Sequence, residues 1–142
     1  MAVLASRAQT PSTERISDCA NGLEADGLCV IAALTPNGHH VAFTSEASNL
    51  AACCSPSVVD VNGAQYDVFV RDRTTGALRV VSVDTTGLAT GNDASLSEYE
   101  SLSSDGRFVV FDSRATNLVA GVGNGSRQVY MRDMWTGTTS FV

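Results

Sequence analysis

Residues 103–118 read SSDGRFVVFDSRATNL, and residues 35–50 read TPNGHHVAFTSEASNL. The two stretches match register by register: Asp105-Gly106 with Asn37-Gly38, Phe111 with Phe43, and Asn117-Leu118 with Asn49-Leu50. A second phrase recurs further on, QVYMRDMWTG at 128–137 against DVFVRDRTTG at 67–76. The first block is offset by 68 residues and the second by 61, so the first copy carries seven extra residues between them. A period of this size is one supersecondary unit per copy, and the chain is read as a tandem repeat before anything else.

Within each copy the apolar stretches are short. His40–Thr44 and Phe108–Asp112 are β-branched and aromatic, as suits strands buried on both faces. Val68–Val70 and Val129–Met131 are of the same kind. Each is followed by Arg-Asp, a Thr-Gly turn (Thr75-Gly76, Thr136-Gly137) and a further strand, Leu78–Val83 or Thr138–Val142. Ahead of the Asn-Gly and Asp-Gly turns lie Cys29–Leu34 and Tyr99–Ser103. Those turns supply residues that tolerate the positive φ of a tight hairpin. Each copy therefore predicts a four-stranded antiparallel meander, strands a to d, with no helix. Thr13–Ser17 precedes the first strand a as Arg79–Ser82 precedes the second, and predicts an extra outer strand. The a–b and c–d connections are tight. The b–c connections (46–65, 113–127) and d–a connections (18–28, 84–98) are long and fall together at one end, where binding residues tend to collect.

Four-stranded meanders in tandem suggest β-propeller blades. The phrase SSDGRFVVFDSRATNL followed by QVYMRDMWTG resembles the WD-like β-propeller repeats of TolB-type bacterial proteins, over nearly all of residues 13–142. The first copy departs from that pattern at Pro36-Asn37, at His39-His40 and in the longer Cys53-Cys54 loop. The resemblance implies an all-β fold and a binding role more than any one chemistry. It divides the chain into an N-terminal tail (1–12), an outer strand plus first blade (13–83) and a second blade (84–142). Propellers use roughly four to eight blades. Two blades with strands apolar on both faces would leave sheet faces open. The expected partner is the chain itself, through self-association into a closed ring; the alternatives are that the two blades belong to a larger propeller or pack face to face as a compact sandwich.

At 142 residues, 44% hydrophobic and 17% charged, the chain has globular composition. Its net charge is −6, and its nine basic residues are all Arg without a cluster, so nucleic acid is not an expected partner. No apolar run approaches the ~20 residues of a membrane span. The start, MAVLASRAQTPS, is briefly apolar with no basic region before it, unlike a full secretory signal.

Candidate site residues lie on the long loops. Asp60-Val61-Asn62-Gly63 with Asp67 places oxygen-bearing side chains around a Gly turn, a weak Ca2+ pattern in an otherwise cofactor-free reading. A plain Asx-type turn is the competing reading, because the second copy reads Gly123-Asn124-Gly125. Asn92-Asp93 with Glu98 and Glu100 makes a second acidic loop, and the spacing of Glu98 and Glu100 predicts one side of strand a. The ligand-binding candidates are thus Asp60, Asn62, Asp93, Glu98 and Glu100. His39 and His40 read as surface turn residues, and Trp135 as packing on its blade edge. Because Arg71-Asp72 and Arg132-Asp133 recur, they read as a device closing each blade, the Asp accepting from backbone N–H groups of the following turn.

Cys19, Cys29, Cys53 and Cys54 all map near the long-loop end, where either free thiols or bridges from the b–c loop to the d–a loop fit. Pairing of the adjacent Cys53 and Cys54 is disfavoured by strain. Bridges would imply a periplasmic or secreted setting, and free thiols a cytoplasmic one. Nucleophile-elbow and phosphate-loop motifs are absent. The sequence therefore predicts a non-enzymatic binding module with a protein, peptide or glycan at the long-loop end. The alternative is a polysaccharide lyase or hydrolase with its site at the channel mouth of an assembled ring.

Overall fold

The structure, a computed structural model, describes residues 12–142. Residues 1–11, nearly all of the expected tail, lie outside the described residues. The chain forms two four-stranded antiparallel sheets, each in simple meander order. The first contains β1 (Cys29–Leu34), β2 (His40–Ser45), β3 (Asp67–Asp72) and β4 (Leu78–Val80). The second contains β5 (Ser95–Leu96), β6 (Phe108–Ser113), β7 (Gln128–Asp133) and β8 (Thr138–Phe141). A single 3-10 turn, Ala51–Cys53, is the only helical element among the described residues.

The repeat is visible in the ladders. Phe43 lies opposite Phe69 in the first sheet, and Phe111 opposite Tyr130 in the second. Both pairs stack, with ring centroids 5.6 and 5.8 Å apart. Each a–b hairpin turns through a glycine of positive φ, Gly38 (73°) and Gly106 (75°), where a side chain would be strained. The repeated aspartates act as expected. Asp72 Oδ1 accepts from the N–H groups of Thr74 (2.8 Å) and Thr75 (3.3 Å), and Asp133 Oδ1 from those of Trp135 (2.9 Å) and Thr136 (3.3 Å).

Alternation along the strands gives every blade two different faces. In the first blade Phe43, Phe69, Leu78 and Val80 form one cluster with loop residues and with Cys19. The opposite face, with Ala42, Val68, Val70 and Val81, packs on Val109, Phe111 and Tyr130 of the second blade. By the repeat offsets, Val109, Phe111 and Tyr130 are the counterparts of Val41, Phe43 and Phe69. The blades therefore stack in the same sense, one kind of face against the other. The remaining face of the second blade, around Val110 and Val129, is exposed and corresponds position by position to the buried Ala42 and Val68.

Three expectations are corrected. Thr13–Ser17 forms no strand: Ile16 O accepts from Nε and Nη2 of Arg71 (3.1 Å each), and the segment is held by that side chain instead of by a ladder. It nevertheless lies where strand d of a preceding blade would lie, since Ile16 packs against the cluster of Phe43 and Phe69 as Val81 packs against Phe111 and Tyr130. Strand a of the second copy is split: Ser95–Leu96 pairs with Asp112–Ser113, Glu98–Glu100 bulge out with Glu100 at φ 66°, and Leu102 returns to bridge Val109, so the expected Tyr99–Ser103 holds only in its last residues. His40 is not a free turn residue. Its ring lies where a Cβ on Gly106 would come within 2.5 Å of Nδ1, so it closes the contact between the blades.

Candidate binding site at the long-loop end

The b–c loop of the first blade and the d–a loop between the blades run side by side. Val59 N–H donates to Leu88 O and Thr90 N–H to Val59 O (2.9 Å each), a short parallel bridge. Val61 N–H donates to Thr90 Oγ1 at 3.1 Å. Neighbouring backbone thus fixes the loops without strand periodicity, and three aliphatic side chains on them face solvent: Val59 (64% exposed), Val61 (52%) and Leu88 (66%). The repeat offered a hint, because Leu88 corresponds to Leu23, also exposed at the tip of its own d–a turn. Val59 and Val61 had no local signal. Their exposure follows from a pairing 29 residues away in sequence.

Of the expected ligand residues, Asp60, Asn62 and Asp93 are brought together beside this patch. Asn62 Nδ2 donates to Asp93 O at 3.4 Å. Asp60 Oδ1 accepts from the N–H groups of Asn62 (3.1 Å) and Gly63 (2.9 Å), the geometry of an Asx turn. Glu98 and Glu100 are separated from these residues, on the bulge after β5, where the loss of strand geometry also removes the expected alternation.

Asp67, the third residue of the Ca2+ pattern, lies beneath the loop and is only 4% exposed. Its Oδ1 accepts from the Ser82 hydroxyl at 2.7 Å, and that hydroxyl accepts in turn from Val68 N–H at 3.1 Å. Burial pushes the carboxyl up to about 7; the bond from Ser82 works against this and the charge of Asp60 adds to it. Such a group does not reach a substrate on the surface. Among the described residues no three His, Cys, Asp or Glu side chains converge on a point that could hold a metal ion.

Cys19 and Cys53 are bridged, with Cα atoms 5.4 Å apart, which ties the first d–a turn to the enlarged b–c loop. Cys29 and Cys54 are free. Burial pushes the Cys54 thiol up to about 12, so it is protonated at neutral pH. Among the described residues no helix is long and apolar enough to cross a membrane.

No protein-family profile and no curated protein sequence matches the chain. Among solved structures it is similar to TolB from Acinetobacter baumannii, at 20% identity and a TM-score of 0.46. The superposition covers 82% of this chain and 21% of that one, so the chain spans about a fifth of the length of the protein it matches.

Proposed function

We propose that this chain is a non-enzymatic β-propeller module that binds a peptide or protein segment at its long-loop end. The observation that carries the reading is the patch of Val59, Val61 and Leu88, held outward by loop-to-loop hydrogen bonds. Exposed aliphatic side chains on a fixed backbone suit the anchors of a partner, whose burial would remove them from water. They are aliphatic and not aromatic, which suits a peptide side chain better than the face of a sugar ring. Asp60, Asp84 and Asp93 stand on the same loops, and the net charge is −6, so a partner with apolar anchors and basic flanks is complementary.

Selection from a phage-displayed random peptide library tests this. Selected peptides, measured by fluorescence anisotropy, should lose affinity on the order of tenfold or more on Leu88→Asp or Val59→Asp. They should be unaffected by Trp135→Ala at the opposite end. Peptides indifferent to Leu88→Asp and Val59→Asp would refute the reading.

In the same reading the open face around Val110 and Val129 takes a further blade of this repeat, as its buried counterpart in the first blade does. Ring closure by identical copies then requires residues 13–17 to move, because they occupy the outer-strand place that an incoming β8 needs. A variant lacking residues 1–17 should self-associate more strongly in sedimentation than the intact chain. Equal association of the two would show that residues 13–17 do not block closure. The Cys19–Cys53 bridge favours an oxidising, periplasmic or secreted setting.

A further inference from the structure

Arg71 and Arg132 hold the same place in the two copies, the fifth residue of β3 and of β7. Their surroundings differ. Arg71 is saturated: Nη1 donates to Gly76 O at 2.6 Å, Nε to Ile16 O at 3.1 Å, and Nη2 to the Asp18 backbone carbonyl and to its carboxylate at 3.0 Å. Arg132 is 9% exposed and donates from Nη1 to Thr139 Oγ1 at 2.9 Å. Its Nε is buried without a partner, and no carboxylate forms an ion pair with it among the described residues. The reason lies in the turns. The bridge Asp18–Glu24 in the first copy corresponds to Val83–Thr90 in the second, so a valine stands where Arg71 finds its counter-charge.

Arg132 lines a recess of about 270 Å3 between the turn at Asp84–Gly87, the loop at Leu118–Val119 and the hairpin at Gly137–Thr139. The structure assigns this recess as a subsite for a carboxylate, with Arg132 as its cationic anchor. A buried guanidinium with unused donors is poorly accommodated alone, and a carboxylate matches its planar fork. Burial, then the charge of nearby Arg79, push Arg132 toward losing its proton, while Asp133 opposes them. An anion in the recess relieves that pressure.

The ligand is a monoanion with an aliphatic body. Asp84 on the wall accepts from the N–H (3.1 Å) and the hydroxyl (2.7 Å) of Thr86, so its carboxylate serves its own turn but still opposes a doubly charged guest. Val119 and Ala120 offer an apolar edge to methylene groups, with Leu118 buried behind them. A short aliphatic acid, or the free C-terminus of a peptide, fits these terms. This subsite is independent of the Val59–Leu88 patch, although both share the d–a turn.

The test is 1H–15N NMR of the full chain titrated with sodium acetate, sodium butyrate, and acetyl-Ala-Ala as free acid and as amide, against sodium chloride of equal ionic strength. Arg132 Nε–H should shift saturably with the carboxylates while Arg71 Nε–H stays still, with butyrate several-fold tighter than acetate. Binding of the peptide acid but not its amide identifies a peptide terminus as the source. Binding of butyrate without the peptide acid identifies a free small acid. Arg132→Lys should weaken binding about tenfold, since it keeps the charge and loses the fork. Thr85→Glu, at an exposed loop position, supplies an internal carboxylate and should abolish the titration even if the arginine variant does not fold. Equal movement of Arg71 and Arg132, the same shifts with chloride alone, or an unchanged titration in Thr85→Glu would each overturn the assignment.

Discussion

Replacing Cys19 and Cys53 together by Ser removes the one covalent tie between the first d–a turn and the b–c loop. The bridged residues are 34 apart in sequence. In the chain-entropy treatment, a closed loop of that length restricts the unfolded state by about 3–4 kcal/mol at 25 °C. For a chain of 142 residues each kcal/mol moves the midpoint by roughly 3–4 °C, so the loss corresponds to about 10–15 °C. The bridge also holds Cys19 against the cluster of Phe43, Phe69 and Leu78, and its removal exposes part of that cluster. The assay is calorimetry of the wild type with and without reductant, alongside the double-Ser variant without reductant. All reduced or substituted samples should melt together, well below the oxidised wild type. Exchange with the neighbouring thiol is slow, because Cys54 is protonated and buried. Titration of the unfolded, unreduced protein should therefore find only the thiols of Cys29 and Cys54. A midpoint unmoved by reductant would show that the bridge adds no stability, and reaction of all four cysteines without reductant would show that it is not formed.

Tyr130→Phe should raise stability by about 1 kcal/mol, measured by guanidinium denaturation, because its buried hydroxyl has no hydrogen-bond partner. The first copy already carries Phe69 there, and a loss of stability would show a partner for the hydroxyl. Gly106→Ala should cost more than Gly38→Ala. Both incur the ~1–2 kcal/mol of a left-handed residue, but only Gly106 would drive a Cβ to 2.5 Å from the His40 ring. Equal costs would remove His40 from the contact between blades. Asp67, raised to about 7 when folded, holds a proton that the unfolded chain releases near pH 4, so stability falls as pH rises between those values. Asp67→Asn should accordingly be more stable than wild type at pH 8, by at most about 4 kcal/mol, with the gap closing toward pH 4. A gap independent of pH would contradict the raised value.

Most of the fold was legible because the repeat states each strand twice. β2, β3, β6 and β7 carry β-branched and aromatic residues between turn residues, and their expected cores lie inside the observed spans. β5 carries no apolar strand signal, since Ser95 is held by backbone pairing and by its hydroxyl on that of Ser113, while the more strand-like Tyr99 sits in a bulge. Thr13–Ser17 was recognised in place but not in state, since Arg71 takes the carbonyl of Ile16. Nothing near His40 in sequence announces Gly106, which meets it only when the blades stack. The site was legible in part. Asp60, Asn62 and Asp93 converge through loop pairing, whereas the apolar residues beside them depend on contacts that no local pattern encodes.

Same-sense stacking has a consequence for how such a molecule can change. A newly duplicated blade carries both halves of the junction, one on each face, so an array can lengthen by whole repeats without inventing an interface. The same arrangement makes each blade answerable to two unlike neighbours. Drift at Ala42 or Val68 is tolerated only if the next blade's Phe111 and Tyr130 drift with it. The divergence between the copies is freest on their loops, where no neighbour constrains it.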